Sequence, residues 1–211
     1  MTPRSTLFAS HTGWVFDLDG TLTLAVHDFA AIRRELEVPD DSDILGHLMS
    51  LSPDRAQPLH DRLQEIELEL AALTRAATGA LELLQRLQDS GSQVGILTRN
   101  TRENALHTLE LVGLDSFFHP DHVIGRDDAA PKPDPDGIHR LAEIWGIAPA
   151  TTVMVGDYQY DLQAGRSAGS LTVHVDATRT FRWPELSDVS IGRLDELLPW
   201  LSTCHSFQDR E

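Results

Sequence analysis

The 211-residue chain has almost no lysine: of its 17 cationic residues one, Lys132, is a lysine and the rest are arginines. Any role that demands a lysine ammonium therefore falls to a single position. Cysteine is equally scarce, and Cys204, the only one, excludes an internal disulfide and a thiolate zinc cluster. No apolar run approaches the length of a membrane span, and the opening residues lack the long apolar stretch of a signal peptide. The expected address is the cytoplasm, with no membrane partner. Positive charge is short overall, and a formal net charge of -16 excludes the electropositive footprint that a nucleic-acid backbone requires.

What is present is ordinary for a globular enzyme, with 41% apolar and 24% charged residues. Apolar runs at Gly13 to Phe16, Gln93 to Leu97, His122 to Ile124, Thr152 to Val155 and Leu171 to Val175 read as buried strands. Helical patterns over Arg102 to Leu111, Asp134 to Trp145 and Tyr158 to Ser167 separate the later ones, the second of these with Asp134 as cap and Pro135 at its first position. Strands alternating with helices predict an α/β fold, a doubly wound parallel Rossmann-like sheet whose ligands sit at the carboxyl ends of the strands.

The first and second strands stand about 75 residues apart, too far for one crossover, which predicts an inserted all-helical cap at 25–78. Its main element is a helix over Pro53 to Ala77, capped by Ser52, on which Ala56, Leu59, Leu63, Ile66, Leu70 and Leu73 form an apolar stripe for packing. Shorter helices are expected at Asp28 to Leu36 and Asp43 to Met49. The chain then returns through a helix at Ala80 to Asp89, ended by Gly91. The expected division is a core of 1–24 and 79–203, the cap, and a tail at 204–211.

The chemistry concentrates at strand ends. Val15 to Thr21 reads VFDLDGT, so Asp17 and Asp19 leave the first strand two positions apart, and Gly20 lets the backbone curl behind them. Two carboxylates about 4 Å apart repel by roughly 4 kcal/mol at an effective dielectric of 20, which calls for a cation, and Mg2+ suits oxygen ligands and phosphate. The second strand ends in Thr98, Arg99 and Asn100; Lys132 lies between two prolines; the fourth strand ends in Gly156, Asp157 and Asp161.

These four elements, in this order, resemble the haloacid dehalogenase superfamily of aspartate-nucleophile phosphatases, in particular its phosphoglycolate-phosphatase-like members with a helical cap between the first and second motifs. The resemblance implies that Asp17 is the nucleophile and forms an aspartyl-phosphate, and that Asp19 acts as general acid and base. It implies Mg2+ on Asp17, the backbone carbonyl of Asp19 and Asp157, with Asp161 orienting the metal shell. Thr98 and Lys132 are expected to hold the phosphoryl group and offset its charge. Arg99 and Asn100 either contact substrate or face solvent. Arg33, Arg34, Arg126 and the ten histidines match no metal-ligand spacing and read as surface or packing residues.

The expected activity is Mg2+-dependent hydrolysis of a small phosphorylated metabolite. Asp19 argues against a dehalogenase and the missing membrane spans against an ion pump. Thr21 favours a phosphatase over the alternative of a sugar-phosphate mutase. A catalytically silent binding protein is the other alternative, although such a chain has no reason to keep every reactive group. The acidity suits a monomer or weak homodimer.

Overall fold

The computed structural model describes residues 4–201, so Cys204 and the tail at 204–211 lie outside the described residues. A short helix α1 (Arg4–Leu7) precedes strand β1 (Gly13–Phe16). Helices α2 (Phe29–Glu35), α3 (Ile44–Ser50) and α4 (Pro53–Ala71) follow, then α5 (Ala80–Asp89), β2 (Gln93–Leu97), α6 (Arg102–Val112) and β3 (Val123–Ile124). The chain continues through α7 (Asp136–Trp145), β4 (Thr152–Gly156), α8 (Gln159–Ala168), β5 (Leu171–Val175) and β6 (Val189–Ile191).

All six strands are parallel, in the order β3-β2-β1-β4-β5-β6. The order reverses between β1 and β4, which opens a crevice at their carboxyl ends. Alternation along β1 divides the core. Trp14 and Phe16 pack with Leu83, Leu84 and Leu87 of α5 and Leu109 of α6, while Val15 packs on the opposite face with Met154, Ile138 and Leu141. The sheet is thus covered on both sides, as its near-continuous apolar strands require. Helices α2 to α4 keep a third cluster of their own, with Ile32, Leu36, Leu45, Leu48, Leu63 and Ile66 buried together.

Several boundaries differ from the sequence reading. Helix α4 stops at Ala71, and Leu73 is 67% exposed beyond it. The following residues are claimed by the outgoing connection instead: Leu24 N–H donates to Arg75 O and Ala77 N–H to Leu22 O, so the two links between sheet and helical insert pair with each other. Helix α7 begins at Asp136, with Pro135 as its cap and the Asp134 carboxylate accepting from Asp136 N–H. His122 closes a 3-10 turn before β3, and α8 is shifted one residue later, with Tyr158 as its cap. Strand β6 has no counterpart in the sequence reading.

Candidate active site

Asp17 is the first residue past β1, and its N–H donates to Val155 O at 2.9 Å, which fixes the exit of β1 against β4. Asp157 is the first residue past β4, and Asp161 stands on the first turn of α8, where its Oδ2 accepts from Tyr158 N–H at 3.0 Å. Carboxylate oxygens of Asp17, Asp157 and Asp161 lie within 4.8 Å of one another. Two glycines make this convergence sterically possible. Gly20 has φ +91°, and a Cβ there would fall 2.3 Å from Asp157 Oδ2; a Cβ on Gly156 would fall 2.2 Å from Asp161 Cβ.

The lone lysine closes the cluster. Lys132 Nζ donates to Asp17 Oδ1 at 2.5 Å and lies 2.6 Å from Asp161 Oδ1, with only 2% of its side chain exposed. Burial pulls the ammonium pKa down, but Asp161 and Asp17 outweigh it and hold the group charged above its ordinary range. One ammonium does not balance three carboxylates. Burial, followed by the charges of Asp17 and Asp161, pushes Asp157 up to about 8, and burial pushes Asp161 up to about 6 against the pull of Lys132. Burial also raises Asp17, opposed by Lys132 and reinforced by Asp19. Three converging hard oxygen donors with surplus negative charge fit a hard divalent cation, and neither histidine nor cysteine joins them among the described residues.

The Asp19 side chain stands apart from that set. Burial raises its pKa, while His27 and a hydrogen bond from Asn100 lower it. Asn100 is oriented for this contact, because its Oδ1 is taken by Thr101 N–H at 2.9 Å and by Asn104 Nδ2 at 3.0 Å, which turns its amide nitrogen to Asp19. Asn100 is therefore buried rather than facing solvent. Thr98 is buried too, and its Oγ1 accepts from Asn100 N–H at 3.0 Å, leaving the hydroxyl proton to be donated elsewhere.

Arg99 turns toward the helical insert. Its Nη2 donates to Asp43 Oδ2, the cap of α3, at 2.7 Å, and its guanidinium carbon lies 5.0 Å over the Tyr160 ring. Arg126, read from sequence as a surface or packing residue, packs at 8% side-chain exposure in an ion pair of 2.7 Å with Glu67 of α4. The sequence reading missed Glu67, Asn104 and His27, all polar groups whose partners lie far along the chain or on a facing element. Thr98, Arg99, Asn100, Lys132 and the four aspartates line one cavity of about 500 Å³ between the sheet end and α2 to α4.

A family model described as "haloacid dehalogenase-like hydrolase" matches residues 13–169. A haloacid dehalogenase-like hydrolase domain-containing protein of Arabidopsis thaliana is 32% identical, over 79% of this chain and 71% of the relative. The pyrophosphatase PpaX of Bacillus mycoides is 34% identical over 89% of this chain and 95% of the relative. Among solved structures, a "predicted phosphoglycolate phosphatase" from Haemophilus somnus superposes with a TM-score of 0.70 at 20% identity, over 90% of this chain and 97% of that one, a likeness of fold.

Proposed function

The chain belongs to the haloacid dehalogenase-like hydrolases, and we propose that within them it is a Mg2+-dependent phosphomonoester hydrolase acting on a small phosphorylated metabolite. The observation that carries this reading is the convergence of Asp17, Asp157 and Asp161 around the Lys132 ammonium at the carboxyl ends of β1 and β4. A phosphoryl group repels an attacking carboxylate until its charge is offset. Asp17, Asp157 and Asp161 would hold Mg2+, with the Asp19 carbonyl, and the ion would supply that offset.

In this reading Asp17 Oδ attacks phosphorus in line with the leaving oxygen. The bond from phosphorus to that oxygen breaks, Asp19 delivers its proton to the departing alcohol, and Asp17 is left as an acyl phosphate. Asp19, now ionised, takes a proton from water as the water oxygen attacks phosphorus. Inorganic phosphate leaves and the Asp17 carboxylate is restored. The raised pKa of Asp19 supports its protonated start, and the Asn100 amide steadies the ionised form that follows. Lys132 pairs with the nucleophile and stands ready for the phosphoryl oxygens, while Thr98 can donate its free hydroxyl proton to them.

The test is release of phosphate from para-nitrophenyl phosphate with and without Mg2+, in the parent chain and in Asp17→Asn. Release that needs Mg2+ and vanishes in the variant supports the reading. A fully active Asp17→Asn chain, or no release from para-nitrophenyl phosphate or a broad panel of phosphorylated metabolites, rejects it.

A further inference from the structure

The cavity reaches well past the acid cluster into the helical insert, and its outer part is built from a distinctive set of side chains. Asp40, Asp41, Asp43 and Glu67 line it, as do the rings of Phe29 and Tyr158. Over the whole lining, eight acidic side chains, the protonated Asp19 among them, face three formal cations, Arg33, Arg99 and Lys132. Two of those cations are already committed, Lys132 to Asp17 and Asp161, and Arg99 to Asp43. Arg33 donates to the main-chain carbonyls of Ser42 and Phe29 and shares the lining with Asp40 and Asp41. Behind the wall, Arg126 directs its charge to Glu67 Oε1. With Asp19 protonated, as the reaction requires, and a divalent cation among the inner aspartates, the seven other carboxylates still outnumber the positive charges facing them, Arg126 included, by one.

Two independent features add to the charge. Glu67 has 10% of its side chain exposed, and its second oxygen, Oε2, has no hydrogen-bond partner, an acceptor left open in a buried position. Phe29 and Tyr158 are 56% and 46% exposed at the cavity wall. The cavity already stacks a cation on a ring, since the Arg99 guanidinium covers Tyr160. One face of Phe29 stacks on His27 and Tyr158 meets Tyr160 and Trp183 edge-on, so each ring offers its remaining exposed surface to the cavity. Carboxylates sharing a wall with such ring surface favour an ammonium, which gains both Coulomb and cation–π attraction, and disfavour an anion.

We propose that this cavity selects phosphomonoesters whose leaving alcohol carries an ammonium group, and discriminates against those whose leaving group is a carboxylate or a second phosphate. The inference rests on the phosphohydrolase reading and narrows its substrate class. The products would be an amino alcohol and inorganic phosphate, by the same bond cleavage and proton transfers as above.

The experiment compares kcat/KM of the full chain with Mg2+ at pH 8 for phosphoethanolamine and phosphocholine, glycerol phosphate, phosphoglycolate and inorganic pyrophosphate, with para-nitrophenyl phosphate as a common reference. The expected order is cation above neutral above anion. Each unit of charge at about 10 Å in an effective dielectric of about 20 corresponds to a step on the order of tenfold. Asp40 and Asp41 are exposed, so an Asp40→Asn/Asp41→Asn chain should fold. The two leaving groups differ by two units of charge, so in it, and separately in Glu67→Gln, the ratio of phosphoethanolamine to phosphoglycolate turnover should narrow by about 10- to 100-fold, the lower end for the solvent-screened Asp40 and Asp41. The ratio cancels any general loss of activity. A preference for phosphoglycolate or pyrophosphate, above all one removed by Arg33→Ala, overturns the inference, as does a ratio unchanged in both variant chains. Turnover of para-nitrophenyl phosphate with no ordering by charge sinks this inference alone; no turnover of any substrate sinks the phosphohydrolase reading beneath it.

Discussion

Lys132 donates to Asp17 at 2.5 Å across 115 positions of sequence, and the same ammonium lies 2.6 Å from Asp161. The chain's one lysine therefore joins the exit of β1 to the first turn of α8 through a residue that belongs to neither element. Lys132→Met should lower kcat for para-nitrophenyl phosphate by about 10²- to 10³-fold, the range for losing one group that stabilises developing charge. Lys132→Arg should not restore it, because a planar fork is not a point charge between two carboxylates. Steady-state rates check both.

Asp19 should matter according to the leaving group. Para-nitrophenolate departs without a proton, whereas an alkoxide does not. Asp19→Asn should therefore keep a burst of para-nitrophenolate in rapid mixing but lose about 10²- to 10⁴-fold in turnover of an alkyl phosphate. A burst of para-nitrophenolate slowed as much as the alkyl phosphate would remove Asp19 from the role of acid.

Gly20→Ala should destabilise the chain by about 2 kcal/mol or more, since the residue needs φ +91° and its Cβ would meet Asp157 Oδ2 at 2.3 Å. Mg2+ affinity should fall with it as Asp157 is displaced. Chemical unfolding and a metal titration read the two effects separately.

The four motifs were legible because each is local. Asp17 and Asp19 follow one strand, Asp157 and Asp161 span the start of one helix, and the alternation of apolar runs with helical patterns fixed the fold class and the strand ends where they sit. The pair of Glu67 and Arg126 was not legible, because 59 positions separate two residues that meet only once α4 docks near β3. Likewise the tether of Arg99 to Asp43 depends on where α3 comes to rest, and the Asn104 contact that turns Asn100 toward Asp19 depends on the start of α6. Periodicity overran the end of α4 because residues 72–77 carry helix-compatible side chains, but after Ala72, Leu73 and Thr74 close off the helix, Arg75 and Ala77 spend their backbone on the return link. Strand β6 has three residues, one of them buried, too short a pattern to stand out.

That buried pair makes its own prediction. Arg126→Met alone should destabilise the chain, and more at pH 8 than at pH 6, since burial already raises Glu67 to about 7 beside Arg126 and the acid left alone escapes its buried charge only by taking a proton. The double replacement Glu67→Leu/Arg126→Met should recover most of that loss. Urea unfolding of the four chains of the cycle measures the coupling.

Metal and pH should be linked through Asp157. In the metal-free protein its pKa is about 8 against an ordinary 3.8, so between those values the native state holds a proton that the unfolded chain has released. Stability of the metal-free chain should therefore fall as pH rises through that window. Mg2+ competes with the proton for the same oxygens, so the rise in Tm on adding Mg2+ should be larger at pH 8 than at pH 5.5. Thermal melts with and without Mg2+ at the two values decide it.

The scarcity of lysine has a practical side. The only ε-amine in the sequence is 2% exposed and wedged between two acids, so reagents that acylate or reductively alkylate amines find no bystander side chain to modify. Whatever such a reagent does to a lysine side chain here reports on one spot in the crevice, and a group so enclosed and held protonated should react only when the crevice opens or the chain unfolds.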